Sequence, residues 1–184
     1  MSQPFKNHQQ AIQSAESQYY VLESMALYIA ATLKRGGTLY ICGNGGSAAD
    51  AQHLAAEFMG RFKADRPPLR AVALTTDTSL LTAVGNDYGF NVVFERQVQG
   101  LMTVDDILLC VSTSGKSENV LHAAAAALLI GAQVVSLTGR DGGELKSISE
   151  LDICIASNDT AAIQEAHLYL EHQLIGLVEE IVCR

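Results

Sequence analysis

Basic residues are scarce in this chain, and they do not cluster. Its 184 residues include 12 Lys and Arg against 20 Asp and Glu, which gives a formal net charge of −8. A nucleic-acid-binding protein needs a basic surface to neutralise the phosphate backbone. The composition therefore predicts that nucleic acid is not a partner.

Long apolar runs and paired cysteines are also missing. No run reaches the ~20 apolar residues of a membrane-spanning helix, and the polar N-terminus MSQPFKNHQQ lacks the apolar core of a signal peptide. Cys42, Cys110, Cys154 and Cys183 form no CxxC pair. We interpret all four as small buried core residues rather than as disulfide partners. These absences predict a soluble, cytoplasmic protein with no membrane partner.

The chain shows no internal repeat, no linker rich in Pro or Ser and no shift in composition. With 48% hydrophobic and 17% charged residues, it has the composition of a globular protein with a sizeable core. We therefore predict a single domain over residues 1–184. Apolar residues at helical spacing predict helix over residues 5–35, with a break near Ser17 and an end at Gly36 and Gly37.

Five short apolar runs alternate with helical patterns in the remaining residues, 36–184. Short apolar strands separated by helices pair in parallel and are covered on both faces. The pattern predicts a doubly wound α/β fold with a five-stranded parallel sheet, flanked by helices, and extra helices at both ends of the chain. Such sheets bind ligands beyond the carboxyl ends of their strands. The runs occupy residues 38–42, 71–75, 107–113, 133–138 and 151–156, and helices are predicted to start near Ser47, Ser117 and Thr160.

The loop GNGGS at residues 43–47 follows the first predicted strand and leads into a helix from about Ser47. It matches neither the G-x-G-x-x-G dinucleotide motif nor a P-loop. Glycines let the backbone approach an anion, and a helix N-terminus offers free N–H groups. Ser47 could equally cap the helix together with Asp50 in an S-x-x-D box. The loop alone leaves both interpretations open.

The loop STSGKSEN at residues 112–119 surrounds Gly115 with hydroxyl groups just before another helix. Hydroxyls and helix-terminal N–H groups bind phosphate monoesters well. The alternative is an ordinary turn with Ser117 as N-cap, in which Lys116 faces solvent. Two such loops after two strands favour a phosphorylated ligand. The hydroxyl-bearing residues are Ser112, Thr113, Ser114 and Ser117.

His53 and Glu57 are four residues apart on the helix after the glycine loop, so both lie on one face. This spacing suits a shared divalent metal, a base with its orienting partner, or a simple surface contact. On the last helix, Gln164 and His172 are separated by about 12 Å of axial rise and about 80° of rotation. They reach one metal only by extending toward each other along the helix axis.

Other polar residues have weaker patterns. His167 and Glu171 form a rival pair on the last helix, which we expect at the surface. The segment VGNDYGF at residues 84–90 is predicted to be a loop, in which Asn86 and Asp87 either bind a polyol or simply form a turn. We expect both remaining histidines, His8 and His122, to face solvent.

Together these motifs resemble one family. CGNGGSAADAQHLAAEFMGRF, ALTTDTSLLTAVGNDYGF, STSGKSENV, LTGRDGGEL and IQEAHLYLEH occur in the order found in bacterial sedoheptulose 7-phosphate (phosphoheptose) isomerases of the sugar isomerase (SIS) domain superfamily. The resemblance covers about residues 36–180. It implies conversion of sedoheptulose 7-phosphate to D-glycero-D-manno-heptose 7-phosphate, which supplies ADP- or GDP-heptose for cell-envelope polysaccharides such as lipopolysaccharide. It also implies a homotetramer with active sites at subunit interfaces, where many members bind zinc.

The same resemblance implies roles for individual residues. Glu57 and His172 are implied as the acid/base pair of an isomerisation through an enediol. The implied ligands of one Zn²⁺ per subunit are His53, Glu57, Gln164 and His172. The implied substrate-binding residues are Asn44, Gly45, Gly46, Ser47, Glu57, Asn86, Asp87, Ser112, Thr113, Ser114, Ser117 and Gln164.

Two positions depart from the family pattern. Many relatives carry a basic residue where this chain has Ala162, and some carry Asp at the position of Ala161. We expect these changes to modify activity or assembly rather than to abolish function. The main alternative function is that of a non-catalytic SIS relative that binds the replication initiator, but that relative lacks the counterparts of Glu57 and His172. Another sugar-phosphate isomerase or lyase, and a sugar-phosphate sensor, are further alternatives.

Overall fold

The computed structural model describes residues 2–183. It begins with helices α1 (Gln3–Glu16) and α2 (Tyr19–Lys34), which confirm the predicted break near Ser17. The apolar spacing on α2 is borne out, since Leu22, Met25 and Ile29 are fully buried. Gly36 follows the helix with a φ of 89°, the left-handed conformation that commonly ends helices.

The five predicted strands form one parallel sheet in the order β2-β1-β3-β4-β5. Every residue of β1 and β3 is buried, as expected for strands covered on both faces. The strands are β1 (Leu39–Gly43), β2 (Ala71–Ala73), β3 (Ile107–Ser112), β4 (Gln133–Gly139) and β5 (Leu151–Ile155).

Helices cover both faces of the sheet, within residues 2–183. The predicted helix starts near Ser47, Ser117 and Thr160 are confirmed to within one residue. A short 3₁₀ turn at Phe90–Val92 precedes α5. The helices are α3 (Gly46–Met59), α4 (Thr78–Asp87), α5 (Glu95–Leu101), α6 (Glu118–Ile130), α7 (Gly143–Ile148) and α8 (Thr160–Val182).

Alternate residues of each strand pack into different cores. Leu39 and Ile41 of β1 join a core with α1, α2, α3 and α8. Tyr40 and Cys42 join the opposite core, with α5, α6 and α7. This division follows from the two-residue repeat of a strand, whose side chains point to alternate faces.

The strand order brings both predicted loops to one place. The chain leaves β1 toward β2 on one side, and β3 lies on the other side of β1. The carboxyl ends of β1 and β3 therefore form the topological switch point, where doubly wound sheets bind their ligands. The glycine loop after β1 and the serine loop after β3 both start from this edge, as predicted.

Two predictions, on the burial of the cysteines and on the conformation of residues 84–90, are wrong. Cys42 and Cys110 are fully buried on paired strands, but Cys154 is only half-buried and Cys183 is exposed. The segment 84–90 is not a continuous loop, because α4 extends through Asp87.

Across residues 2–183, the helices are too short or too polar to span a membrane.

Candidate active site

The glycine loop starts α3 without a side-chain cap. Gly45 is the N-cap residue, and its φ of 58° lies in the left-handed region that favours glycine. Ser47 is buried within the first turn and makes no capping bond, so the structure does not form the alternative S-x-x-D box with Asp50. A Cβ at Gly43 would lie 2.8 Å from Ser47 and 2.9 Å from the Val111 carbonyl oxygen. Helix α3 therefore begins in close contact with the sheet edge.

A pair of asparagines joins the glycine loop to helix α6. The Asn44 amide donates to Asn119 Oδ1 at 2.8 Å, and the Asn119 amide donates back to Asn44 Oδ1 at 2.8 Å. Asn119 is buried near the start of α6. Sequence reasoning assigned no role to this residue, although it is the last residue of the segment 112–119. The pair holds the two loops in a fixed relation.

The serine loop curls back on its own first residue. Ser112 Oγ accepts the Gly115 N–H at 3.2 Å and lies 3.4 Å from Ser117 Oγ. Ser117 is the N-cap of α6, as predicted, but its hydroxyl makes no capping bond. That hydroxyl and the first N–H groups of α6 are thus available to an anion. Lys116 faces solvent and pairs with Asp141 at 2.9 Å.

The loop between β4 and α7 supports the serine loop from behind. The Leu145 N–H donates to the Gly115 carbonyl oxygen at 3.1 Å. A Cβ at Gly115 would overlap the carbonyl oxygen of Gly142, and the φ of Gly115 is 63°. The motif LTGRDGGEL thus contributes the surface on which the serine loop rests, and only glycine fits at this contact.

Helices α3 and α8 bring three of the predicted site residues together. His53 Nε2 lies 3.0 Å from His172 Nε2 and 3.9 Å from Glu57 Oε1. The two imidazoles meet edge to face, with ring centroids 5.1 Å apart. The Glu57 side chain is 24% exposed and that of His53 is 42% exposed, so both remain accessible to a ligand.

Gln164 of α8 and the predicted site residues of α4, Asn86 and Asp87, make other contacts. The Gln164 amide lies against Gly46 in the glycine loop, where a Cβ would overlap it. Asn86 and Asp87 lie in the exposed last turn of α4, and the Asn86 amide donates to Asp87 Oδ1 at 2.8 Å. The structure therefore gives Gln164 a contact with the predicted sugar loop, and gives Asn86 and Asp87 a bond to each other.

The donor types at α3 and α8 suit zinc. Two imidazole nitrogens and a carboxylate form one of the ligand sets found in catalytic zinc sites. Within residues 2–183, however, no group of three or more His, Cys, Asp or Glu side chains encloses a metal position. The Nε2 atoms of His53 and His172 instead lie 3.0 Å apart, within hydrogen-bond distance of each other. The residues fit a zinc ion in donor type and in proximity.

The expected surface pair on α8 is wrong. His167 and Glu171 are both fully buried. The His167 Nε2–H donates to the Thr138 carbonyl oxygen at 2.9 Å, and burial lowers the pKa of His167 to about 4. Both residues fall on the buried apolar stripe of α8 that includes Ile163, Ala166 and Leu170. The helical spacing therefore indicated burial, although both side chains are polar.

Glu171 faces a second carboxyl group. Burial raises the pKa of Glu171 well above its ordinary value, and the nearby Asp50 raises it further. Burial also raises the pKa of Asp50, an effect that His53 partly offsets. Both oxygens of Glu171 and Oδ2 of Asp50 make no hydrogen bond with the described part of the chain. A carboxyl pair therefore lies between α3 and α8, with Glu171 directly before His172 and Asp50 three residues before His53.

An aromatic residue that sequence reasoning missed completes the site. The Phe62 ring stacks on the His172 imidazole with an interplanar angle of 7° and a centroid distance of 5.7 Å. Phe62 lies in the irregular segment between α3 and β2, where no periodic pattern indicated a role. Its ring lies parallel to one face of the imidazole.

Comparison with known proteins identifies the family. The model of the SIS domain family matches residues 5–139. The phosphoheptose isomerase of Aliarcobacter butzleri is 46% identical over 176 residues, which cover 95% of this chain and 93% of that protein. The phosphoheptose isomerase of Aquifex aeolicus is 52% identical over 155 residues, which cover 84% and 81%.

A solved structure supports the same family. The phosphoheptose isomerase GmhA from Neisseria gonorrhoeae superposes with a TM-score of 0.90 at 42% identity, over 96% of this chain and 95% of that one. Sequence and fold therefore agree over nearly the whole chain. The protein belongs to the SIS domain family and, within it, to the phosphoheptose isomerases.

Proposed function

We propose that the protein isomerises sedoheptulose 7-phosphate to D-glycero-D-manno-heptose 7-phosphate. The observation that carries the proposal is the meeting of His53, Glu57 and His172 on two helices, α3 and α8. Membership of the phosphoheptose isomerases supplies the substrate class. The reaction would provide the first intermediate of nucleotide-activated heptose synthesis for cell-envelope polysaccharide, in the cytoplasm.

The phosphate group would bind at the serine loop. Ser112, Thr113, Ser114 and Ser117 offer hydroxyl donors, and the N-terminus of α6 offers free N–H groups. Ser47 lies at the start of α3, after the neighbouring strand. Since the helix N-terminus carries partial positive charge, it suits a phosphate dianion even though Lys116 is turned toward Asp141.

The sugar would extend from the phosphate toward α3 and α8. Asn44, Gly45 and Gly46 line this path, with Gln164 against Gly46. Phe90 and Asn119 border a cavity of about 340 Å³ together with Asn44 and Ser117. Asn86 and Asp87 would bind sugar hydroxyls from the exposed end of α4.

Isomerisation requires two proton movements, one between carbons and one between oxygens. In the proposed mechanism the Glu57 carboxylate removes a proton from C1 and returns it to C2 through an enediol. His172 moves a proton from the oxygen on C1 to the oxygen on C2. C1 becomes the aldehyde and C2 the hydroxyl-bearing carbon, so no proton or electron is gained or lost overall.

His53, Glu57, Gln164 and His172 would hold one Zn²⁺ per subunit. A bound ion would polarise the sugar carbonyl and stabilise negative charge on its oxygen. The support for this part of the proposal is the donor chemistry of the set and the short distance between the two histidines.

We also propose a homotetramer whose active sites lie at subunit interfaces. Large apolar side chains on several elements are exposed in the isolated chain, such as Tyr20, Leu27, Phe90 and Leu129. Contacts between copies would cover such side chains. Light scattering of the purified protein tests the tetramer, and a monomeric mass with full activity would contradict it.

The decisive test is turnover of the proposed substrate. Purified protein is incubated with sedoheptulose 7-phosphate, and formation of the aldoheptose 7-phosphate is followed by mass spectrometry after carbonyl labelling. Ribulose 5-phosphate, which shares the CH2OH–C=O end but has a shorter chain and the opposite configuration at C3, serves as the control for substrate identity. Conversion of the heptose alone supports the proposal. Conversion of the pentose alone, or of neither, would contradict it.

A further inference from the structure

Residues 60–67, in the segment between α3 and β2, have no regular secondary structure but are held by several hydrogen bonds. One carboxylate accepts the N–H groups of Phe62 at 3.0 Å, Lys63 at 3.1 Å and Ala64 at 3.2 Å. This carboxylate belongs to Glu179 on α8, and it also pairs with Arg66 Nε at 2.8 Å. The Arg66 and Glu179 side chains are only 2% and 4% exposed. Four donors converge on one buried anion, so the segment 60–67 is anchored to α8.

The pKa of Glu179 agrees with this arrangement. Burial raises the pKa of Glu179, but the backbone N–H donors and Arg66 together outweigh burial, and the net pKa is lowered. The carboxylate is therefore the form that the fold favours. Charge-assisted bonds of this kind are the strong class of protein hydrogen bonds.

Arg66 also binds the end of α3. Its guanidinium donates to the carbonyl oxygens of Glu57 at 2.9 Å and of Phe58 at 2.8 Å. These carbonyls belong to the last turn of α3, where a helix leaves its acceptors unsatisfied. A single side chain thus joins the turn that carries Glu57 to the helix that carries His172. This link is one of the contacts that join the two elements carrying the proposed acid/base residues.

Phe62 is the part of the segment that reaches the site. Its ring lies parallel to the His172 imidazole, and a Cβ at Gly176 would lie 3.8 Å from its Cε1 atom. Gly176 is one helical turn after His172 on α8. The Phe62 ring therefore lies along α8 over these two residues. His53 contacts the imidazole through its Nε2 edge, and Phe62 covers its face.

We propose that residues 60–67 are a positioning element for His172, in which the Arg66–Glu179 ion pair holds the segment and Phe62 fixes the orientation of the imidazole. The inference rests on the proposed function, in which His172 moves a proton. Proton transfer depends on a narrow range of distances and angles, so a ring that is free to rotate spends less time in a productive geometry. Phe62 and Arg66 act through His172 and Glu57, and neither contacts the reacting atoms in this role.

The first test compares Phe62→Leu with Phe62→Tyr. Leucine fills space but has no aromatic face, whereas tyrosine keeps the stacking ring. We expect Phe62→Leu to lower kcat about 10-fold and to change KM less than about 2-fold. We expect Phe62→Tyr to keep a kcat close to that of the wild type. Equal kcat values for the wild type and Phe62→Leu would overturn the inference, as would an equal loss in both variants.

The second test does not require turnover. With isotope-labelled histidine, the ring-proton resonances of His172 are assigned by their loss in His172→Gln. The face of Phe62 should shift these resonances by its ring current, in the wild type and Phe62→Tyr but not in Phe62→Leu. Unchanged resonances in Phe62→Leu would overturn the inference. If the wild-type chain converts no sedoheptulose 7-phosphate, the proposed function fails, and this comparison still decides whether Phe62 orients the ring.

The ion pair is tested with Glu179→Gln, which keeps the shape but removes the charge. Removing one partner of a buried pair is strongly destabilising, so this variant is compared only if its circular dichroism spectrum is native. We expect broadened His172 resonances and a lower kcat at unchanged KM. Native His172 resonances and a native kcat in a folded Glu179→Gln would show that the ion pair does not position His172. If this variant does not fold, the Phe62 variants still decide whether Phe62 positions His172.

Discussion

The Nε2 atoms of His53 and His172 lie 3.0 Å apart, although 119 residues separate the two histidines in the chain. Each histidine belongs to a different helix, and each helix contributes another proposed ligand, Glu57 on α3 and Gln164 on α8. The contact between the helices therefore assembles the candidate site, rather than any single motif.

Replacement of Glu57 by Gln tests the proposed base. The amide keeps the size of the side chain but cannot accept the proton from C1, so we expect kcat to fall by about 10²–10⁴-fold. Thermal stability and the affinity for sedoheptulose 7-phosphate should stay close to those of the wild type, as measured by calorimetry. Glu144→Gln, an exposed substitution on α7, is the matched control. Full activity in Glu57→Gln would remove this residue from the mechanism.

Zinc content tests the proposed ligand set. We expect about one Zn²⁺ per chain in the protein purified without chelator, and loss of most of it in His53→Ala because one imidazole donor is removed. His122→Ala is the control, since His122 is a half-exposed histidine outside the set that lies near Glu95. Mass spectrometry of the metals measures both variants. Equal zinc in His53→Ala and in the wild type, or activity that survives exhaustive chelation, would contradict the assignment.

Much of this architecture was predictable, and the reasons are local. Each strand, such as Ile107–Ser112, is a short apolar run, and burial on both faces leaves such a run few alternatives. The predicted helix start at Thr160 also has a local cause, because Asp159 precedes it and accepts the N–H groups of Ala161 and Ala162. Ala162 is buried, so the basic residue that the family resemblance implies at this position would enter a packed site.

The unpredicted parts of the site depend on contacts between distant segments. Glu171 falls on the buried stripe of α8, but the carboxyl group that raises its pKa belongs to Asp50 on α3, which no pattern on α8 reveals. Phe62 and Arg66 lie in a segment with no periodicity, and their partners, His172 and Glu179, are more than 100 residues away in the chain. Spacing within one helix cannot reveal such contacts. It gave His53 and Glu57 as a pair, but it could not show which residue of α8 would meet them.

A methyl group at Gly115 should weaken phosphate binding. Its φ of 63° is unfavourable for alanine, and the new Cβ would overlap the Gly142 carbonyl oxygen, so the serine loop must move. We expect Gly115→Ala to raise KM about 10-fold or more, in steady-state kinetics, with a smaller change in kcat. Gly100→Ala is the control, because a Cβ there meets open space. A wild-type KM in Gly115→Ala would contradict the placement of the phosphate.

Acid should destabilise the protein partly through His167. In the unfolded chain this histidine takes up a proton near pH 6.5, whereas burial keeps the folded form neutral down to about pH 4. Its contribution to stability is therefore complete above pH 6.5 and is lost as the pH falls from 6.5 to about 4. The loss amounts to roughly 3 kcal/mol, because each pKa unit corresponds to about 1.4 kcal/mol.

The variant His167→Gln isolates this contribution. Glutamine can still donate to the Thr138 carbonyl oxygen but does not titrate, so its free energy of unfolding should fall less steeply over the same pH range. Glu171 has a raised pKa and contributes a slope of opposite sign, but both proteins contain it and it cancels in the comparison. Urea unfolding at a fixed protein concentration, from pH 7 down to pH 4, measures the two slopes. Parallel curves would show that His167 is protonated alike in the folded and unfolded states, contrary to its full burial beside Thr138.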